Sequence, residues 1–437
     1  MSEPVQSTPS SAPVVTEKME GTYLKSIRDA IGQGGMLVAL LITVVFFQIT
    51  TNGVMLKSLN VTNVFLQNGY ILVMALGMLL VIVIGHIDLS VGSVAGFLGA
   101  SAAVLMVGVT VPVLGKIQLD PILAVAVTLF AGGLIGVWQG TWIAYLRLPS
   151  FIVTLAGMLL FRVATLFMLG GQPVGPFPEG FRAISSGFIP ELIGSFPDPF
   201  GTGDPGIALG PIIIPLGGAP LQLTTLLLGA ILSGFLVFMS LRSRREQVKY
   251  GFSVSSAGQF WLRNALVILG IMFISYRLAG YKGLPIVALI AFILIGVYMF
   301  LTLRTVLGRR IYAVGGNAKA AMLSGINSKR MVFLTFINMG VLSALGGLII
   351  AARFNSATPK AGYGFELDVI AATFVGGASA YGGVGTVAGT VIGALFFGLL
   401  NIGMGIMSIP IDYQFMVKAL VLLIAVYFDV RGKTRDA

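Results

Sequence analysis

The chain has 437 residues, of which 56% are hydrophobic and only 10% are charged, whereas soluble globular proteins carry about 25% charged residues. So few charges cannot cover a soluble protein of 45.9 kDa, and most of the surface must therefore face the apolar interior of a lipid bilayer. The absence of cysteine and the presence of one histidine, His86, exclude disulfide frameworks, metal sites built from Cys or His clusters, thiol catalysis and a Ser/His/Asp triad away from that position.

The net charge of +11 comes from short basic blocks between long uncharged runs. This pattern is typical of loops at an anionic membrane face, so we predict contact with membrane lipids and no nucleic-acid partner. Residues 1–33 are rich in Ser, Pro, Val and Thr and lack the basic start of a signal peptide. They are predicted to form a disordered cytoplasmic tail.

The uncharged runs predict an all-α fold, a polytopic transmembrane helical bundle, because a spanning helix needs about 20 apolar residues. We predict about 12 spans; ten is the alternative, because 366–381 is short and 264–279 contains Arg277. Twelve spans place both termini on the side that receives two-thirds of the 27 basic residues, which makes that side cytoplasmic. The predicted helices are 34–50, 63–85, 89–109, 121–146, 150–170, 219–241, 264–279, 285–303, 331–352, 366–381, 384–404 and 412–428.

These helices divide the chain into two membrane halves. The N-terminal half, 34–241, includes a Pro- and Gly-rich segment, 171–218, that lacks any helical or strand period and is predicted to be an external loop. A basic cytoplasmic linker, 242–263, leads to the C-terminal half, 264–430, which includes an inner loop, 304–330. Residues 431–437 are predicted to form a cytoplasmic tail.

Glycine accounts for 58 residues, about twice the usual share. Close helix packing in lipid explains most of them, but two Gly-rich segments, 85–90 and 376–383, interrupt long apolar stretches. The sequences 90–96 and 383–389 that follow share five of seven residues. Either this is chance, or an internal duplication has placed broken helices at matching positions, as in many transport folds.

Asp88 lies just before the predicted helix at 89–109. A charge inside a span is costly, so we expect this residue either to cap that helix at the inner face or to take part in gating. His86 and Ser90 belong to the same segment, and His86 is a candidate partner for Asp88.

The inner loop contains a predicted two-turn helix. Asn317 is a good N-cap, Gly325 suits a left-handed terminator, and the pair Gly315 and Gly316 permits a sharp turn. So short a helix needs support, which either lipid headgroups or a docked protein would supply. The residues of this motif are Gly315, Gly316, Asn317, Ala321, Met322, Leu323, Ser324 and Gly325.

No nucleotide-binding motif is present. The triplet 432–434 lacks the preceding Gly of a phosphate-binding loop, and Gly383-x-Gly385 has no strand before it. We therefore predict no cofactor, no metal and no catalytic residue, and we expect any ATP to bind another chain. The same lack of acid, base and metal-ligand constellations argues against a membrane-embedded enzyme.

Several long motifs resemble the permease subunit of bacterial ABC monosaccharide importers, the ribose/xylose branch. They lie in the correct order between about 35 and 430. Ribose-type members often have Gly where His86 stands here, and the long outer loop and central linker look more like the xylose or multiple-monosaccharide subgroup. The motifs are 85–93 (GHIDLSVGS), 148–155 (LPSFIVTL), 312–317 (YAVGGN), 323–327 (LSGIN), 364–372 (GFELDVIAA) and 376–379 (GGAS).

The resemblance implies a function and a set of partners. It implies monosaccharide import across the bacterial inner membrane by a permease homodimer, or by two similar permeases, joined to two cytoplasmic ATPases and supplied by a periplasmic sugar-binding protein. The 308–330 loop would be the coupling helix that enters the ATPase. The outer segment 352–368 would receive the binding protein, through Arg353, Lys360, Glu366 and Asp368.

The sugar pathway is less evident. Four polar residues in or near spans are candidates, and each could equally join two helices: Gln67, Asn68, Asn338 and Asn401. The runner-up function is an ion-coupled secondary transporter of a small polar solute, which would use carboxylates at membrane depth.

Overall fold

The computed structural model describes residues 36–108, 110–111, 115–116, 118–196, 207–209, 212–214, 220–252, 254 and 256–434. The predicted tail 1–33 lies outside these residues. Helices account for most of the described chain. In order they are α1 (Met36–Thr50), α2 (Ser58–Val83), α3 (Val91–Val107), α4 (Pro121–Gly140, continued by a π-helical turn, Thr141–Tyr145), α5 (Ser150–Leu169), α6 (Glu179–Ser186), α7 (Leu223–Lys249), α8 (Ala257–Ala279), α9 (Ile286–Arg304), α10 (Val306–Gly316), α11 (Ala318–Leu323), α12 (Ser328–Phe354), α13 (Phe365–Val375), α14 (Val387–Ile406) and α15 (Ile411–Thr434).

The strands of the described chain are two or three residues long and form antiparallel pairs in the connecting segments. The pairs are β1 (Thr110–Val111) with β2 (Gly115–Lys116), β3 (Ser195–Phe196) with β6 (Leu221–Gln222), and β4 (Ile207–Leu209) with β5 (Ile212–Ile214). Eight described helices, α2, α4 with its π turn, α5, α7, α8, α9, α12 and α14, are long and apolar enough to cross a membrane, and α1 and α3 are shorter apolar helices. The prediction of an all-α polytopic membrane protein is confirmed.

The core of the bundle is built around α2 and α12. Helix α2 is apolar on all sides and almost fully buried, as expected of a helix surrounded by others. Helix α12 packs on α4, α3 and α2, and two glycines bring α12 and α4 into backbone contact: a Cβ on Gly340 would lie 2.1 Å from the Gly132 carbonyl oxygen. Small residues supply this packing, as expected in lipid.

The helices extend past three predicted boundaries. The predicted linker 242–263 is helical at both ends, because α7 continues to Lys249 and α8 begins at Ala257. Arg242 and Glu246, four residues apart and 3.3 Å from each other, support the extension of α7, and the Ser256 hydroxyl accepts from the amide of Gln259 to cap α8. At the C-terminus, α15 runs to Thr434, past the predicted end of the membrane half at 430.

The external segment 171–218 is also not all loop. It contains α6, whose Phe181 is buried beside Phe177, and α6 packs on α12, α9 and α4. Prolines on its N-terminal side hide the short helical period in the sequence.

Helix α13, predicted to reach residue 381, ends at Val375 because Gly376 and Gly377 turn the chain.

Candidate functional site

Two helix breaks meet at the end of the bundle that we predict to be cytoplasmic. The first, 84–90, separates α2 from α3, and the second, 376–386, separates α13 from α14. Gly85, Gly377 and Gly383 have positive φ angles of 88°, 85° and 75°, which glycine adopts without strain. The Gly383 amide donates to the Val83 carbonyl oxygen across 2.8 Å. The predicted breaks are confirmed, and the fold joins them to each other.

Helix α10 lies directly on both breaks. A Cβ on Gly315 would stand 1.7 Å from the Val83 carbonyl oxygen and 2.9 Å from the Gly383 nitrogen. Tyr312 donates its hydroxyl to the Gly385 carbonyl oxygen at 2.7 Å, and burial raises the pKa of Tyr312. The sharp turn predicted at Gly315 and Gly316 is wrong: both residues are helical, and Gly315 is needed for close approach of three backbone segments.

Helix α11 follows at once and has the predicted ends. The Asn317 side chain accepts from the Ala320 amide at 3.0 Å, the Ser324 hydroxyl donates to the Ala320 carbonyl oxygen at 3.0 Å, and Gly325 has a φ of 81°. Its three consecutive apolar residues, 321–323, differ in exposure, however. Ala321 is buried within the protein, whereas Met322 is 63% exposed and Leu323 is 87% exposed.

This difference corrects the role predicted for Ala321. A residue buried against its own chain does not present a surface to a partner. Met322 and Leu323 are the large apolar side chains that α11 leaves exposed.

Asp88 does not cap a helix. The N-cap position of α3 is Ser90, and the Asp88 carboxylate accepts both the amide of Ser90 at 2.8 Å and its hydroxyl at 2.6 Å. The Gln139 side chain, from α4, donates to the Ser90 hydroxyl at 2.6 Å. All three residues are buried. Asp88 therefore fixes the first break and links it to α4.

His86 is not a partner of Asp88 in the described part of the chain. Its ring lies 6.0 Å from that of Phe336, centroid to centroid. The predicted pair of His86 and Asp88 is wrong, because the Asp88 carboxylate is engaged by Ser90.

The residues predicted to receive a binding protein have separate environments. Lys360 is exposed and Arg353 is half-buried. Glu366 and Asp368 lie in the first turn of α13, as predicted, but neither forms an open surface. Glu366 is 3.7 Å from Arg162 of α5, and Asp368 is buried. Both acidic residues are thus corrected from docking positions to intramolecular contacts.

Asp368 is the centre of a buried polar cluster that joins α2, α13, α14 and α15. The Lys418 ammonium lies 2.8 Å from Asp368 Oδ1 and 3.0 Å from Oδ2. The Tyr70 hydroxyl donates to Oδ2 at 3.4 Å, and Asn401 reaches the same oxygen at 3.5 Å. Asn401 also donates to the Asn68 side chain at 2.8 Å.

Two of the four predicted pathway residues, Asn68 and Asn401, therefore meet, but in a closed cluster. Gln67 is exposed on another face of α2. Asn338 accepts a short hydrogen bond from Tyr298 and joins α12 to α9. The alternative of helix joining is the one that these contacts favour for Asn68, Asn338 and Asn401.

Three residues that make these contacts were not predicted from the sequence: Arg162, Gln139 and Lys418. For the two charged residues a signal was present: Arg162 is the one charge of α5, and Lys418 has no other charged residue within about five positions in α15. Such isolated charges in apolar stretches usually have a specific partner. Gln139 carries no comparable signal, because uncharged polar residues are common in spans.

Comparison with known proteins places this architecture in a family of transport permeases. The family model described as "Branched-chain amino acid transport system / permease component" matches residues 60–426. The chain belongs to this family and is a multi-pass membrane transport component.

Individual relatives share most of the chain. It is 35% identical over 400 residues to the xylose transport system permease protein of Haemophilus influenzae, covering 92% of this chain and 96% of the relative. The xylose transport system permease protein of Escherichia coli K12 is 36% identical over 403 residues, or 92% of each chain. The ribose import permease protein of the same strain is 34% identical over 370 residues, or 85% of each chain. No solved structure matches the chain.

Proposed function

We propose that the chain is the permease subunit of an ABC importer that translocates a monosaccharide, of the xylose type, across the bacterial inner membrane. The similarity to two xylose permeases over 92% of the chain supports this substrate class. In this proposal ATP is hydrolysed by a separate cytoplasmic subunit, and a periplasmic sugar-binding protein delivers the sugar. Two copies of the permease lie side by side in the lipid, with their termini in the cytoplasm.

One observation carries the proposal: Gly315 packs between Val83 and Gly383. One residue of α10 touches both helix breaks, so a displacement of α10 and α11 reaches both membrane halves. Helices move as rigid units and their breaks act as hinges. An ATPase that pushes on α11 would thereby shift the equilibrium between inward-open and outward-open states.

The exposed side chains define the surfaces on which the partner proteins would dock. On the cytoplasmic side, Met322 and Leu323 are the apolar contacts offered to the ATPase. On the outer side, Lys360 and Arg353 offer positive charge to acidic lobes of a binding protein. Lipids cover the exposed apolar faces of spans such as α4 and α9.

An ion-coupled secondary transporter is the second candidate, and the buried pair of Asp368 and Lys418 favours it, since such carboxylates form proton relays. The decisive test is uptake of D-xylose by vesicles that contain the permease, the ATPase and the binding protein. ABC import continues after an uncoupler collapses the ion gradient and stops when the ATPase is omitted. Uptake that stops when the ion gradient collapses and continues without the ATPase would show ion-coupled transport and contradict our proposal.

A further inference from the structure

Arg162 occupies an unusual place for a charged residue. It is the thirteenth residue of the 20-residue helix α5, which puts its Cα about 18 Å from the inner end and about 10 Å from the outer end at 1.5 Å per residue. The neighbouring exposed residues of α5, among them Leu159 and Val163, are apolar. The Arg162 side chain is nevertheless 34% exposed.

Two contacts hold the guanidinium at this depth. Glu366 Oε1 lies 3.7 Å from one of its nitrogens, and the Tyr363 ring centroid lies 4.7 Å from Cζ. Tyr363 and Glu366 belong to a segment that packs closely against the bundle. A Cβ on Gly362 would lie 1.9 Å from the Gly92 carbonyl oxygen, and a Cβ on Gly364 would lie 2.4 Å from the Phe415 ring. The position of Tyr363 beside Arg162 is therefore fixed by backbone packing.

The contact between Arg162 and Tyr363 is open on one side. Tyr363 is 60% exposed, and Arg162 donates no hydrogen bond to the described residues, so most of its five N–H groups remain free. A free guanidinium facing hydrocarbon is strongly unfavourable, and charged residues within spans face a bundle interior or a water-filled cavity. This side of the protein must therefore face water or a second protein chain, unlike the uncharged outer face of α4.

We propose that Arg162 and Tyr363 form a contact site for a neutral monosaccharide on the wall of a water-filled pathway between two permease copies. The guanidinium donates to sugar hydroxyls, and the phenol ring packs against the apolar C–H groups of the sugar ring. Glu366 is a positioning residue that orients Arg162. The closed cluster of Asp368 and Lys418 provides no such opening. The inference rests on the proposed function for the identity of the ligand.

The test uses the absence of cysteine from the chain. The Tyr363→Cys variant, assembled with the ATPase and the binding protein in membrane vesicles, is treated with a charged, membrane-impermeant thiol reagent. The matched control is Phe130→Cys, at an exposed position of the uncharged face of α4. We expect the Tyr363→Cys variant to react at least tenfold faster than the control, and D-xylose delivered by the binding protein to slow that reaction severalfold.

A second variant separates sugar contact from folding. In the variant that combines Tyr363→Cys with Arg162→Leu, the reaction rates with and without D-xylose should agree within about twofold, and taking this ratio within one variant cancels any change in thiol reactivity. If the Tyr363→Cys variant reacts as slowly as the control, this face does not meet water and the proposal is wrong. If the variant transports D-xylose but D-xylose does not slow its reaction, the sugar contact is wrong. If the unmodified chain accumulates no D-xylose, the proposed substrate fails, and labelling without sugar still decides whether this face meets water.

Discussion

The amide of Gly383 donates to the carbonyl oxygen of Val83 across 2.8 Å, and this one hydrogen bond joins breaks that lie 300 residues apart in the chain. Gly315 of helix α10 covers the junction. In the proposed function, a signal from an ATPase and the opening of both membrane halves would share this one contact point. Backbone atoms form it on all sides, so it cannot yield as a flexible side chain would.

Gly315→Ala should disrupt this junction, because the new Cβ would stand 1.7 Å from the Val83 carbonyl oxygen. We expect sugar transport by reconstituted vesicles to fall at least tenfold while the chain still inserts in the membrane. Gly316→Ala is the matched control, since no atom outside its own helix lies within 4 Å of that Cβ position. Equal transport by the two variants would mean that the junction does not couple α10 to the breaks.

Lys418→Met should destabilise the folded protein by about 3–5 kcal/mol, because it leaves the Asp368 carboxylate buried without its cation. Adding Asp368→Asn should recover most of this loss, since the double variant buries no charge. Unfolding in detergent micelles of Lys418→Met, Asp368→Asn and the double variant gives a double-mutant cycle that isolates the interaction between the two residues. Additive losses would indicate that the two residues act independently.

Leu323→Asp should prevent the ATPase from co-purifying with the permease, because it places a charge on the exposed apolar surface of α11. Leu323→Met keeps an apolar side chain of similar volume and should retain the complex. Ala321→Asp should instead destabilise the attachment of α11 to its own chain, because Ala321 is buried. Normal ATPase binding by Leu323→Asp would leave α11 as a connector that rests on lipid headgroups.

Asp88→Asn should keep most of the transport activity, since the amide oxygen can still accept from the amide and hydroxyl of Ser90. Asp88→Leu removes the acceptor and leaves these buried donors unpaired, at a cost of about 1–3 kcal/mol each. Thermal unfolding and vesicle transport distinguish the two variants. Complete loss of transport by a stably folded Asp88→Asn variant would assign a gating role to the charge.

The amino-acid sequence by itself determined the class of protein, the positions of most spans, the two helix breaks and the ends of α11. Each of these depends on residues close together in the chain. Hydropathy over about 20 residues selects a membrane helix, Gly376 and Gly377 end α13, and Asn317 with Gly325 delimits α11.

The tertiary structure alone decided what the functional side chains contact. Asp368 is in a first helical turn, where its sequence suggests an outer surface, but Lys418 lies 50 positions away and buries it. Helix geometry places Ala321 and Leu323 on nearly opposite sides of α11, and only packing decided that the side of Ala321 is the buried one. Arg162 meets Tyr363 and Glu366 only because Gly92 and Gly362 let two backbones touch. Such contacts arise when distant segments pack together, and the local periodicity and capping signals of a sequence carry no information about which segments those will be.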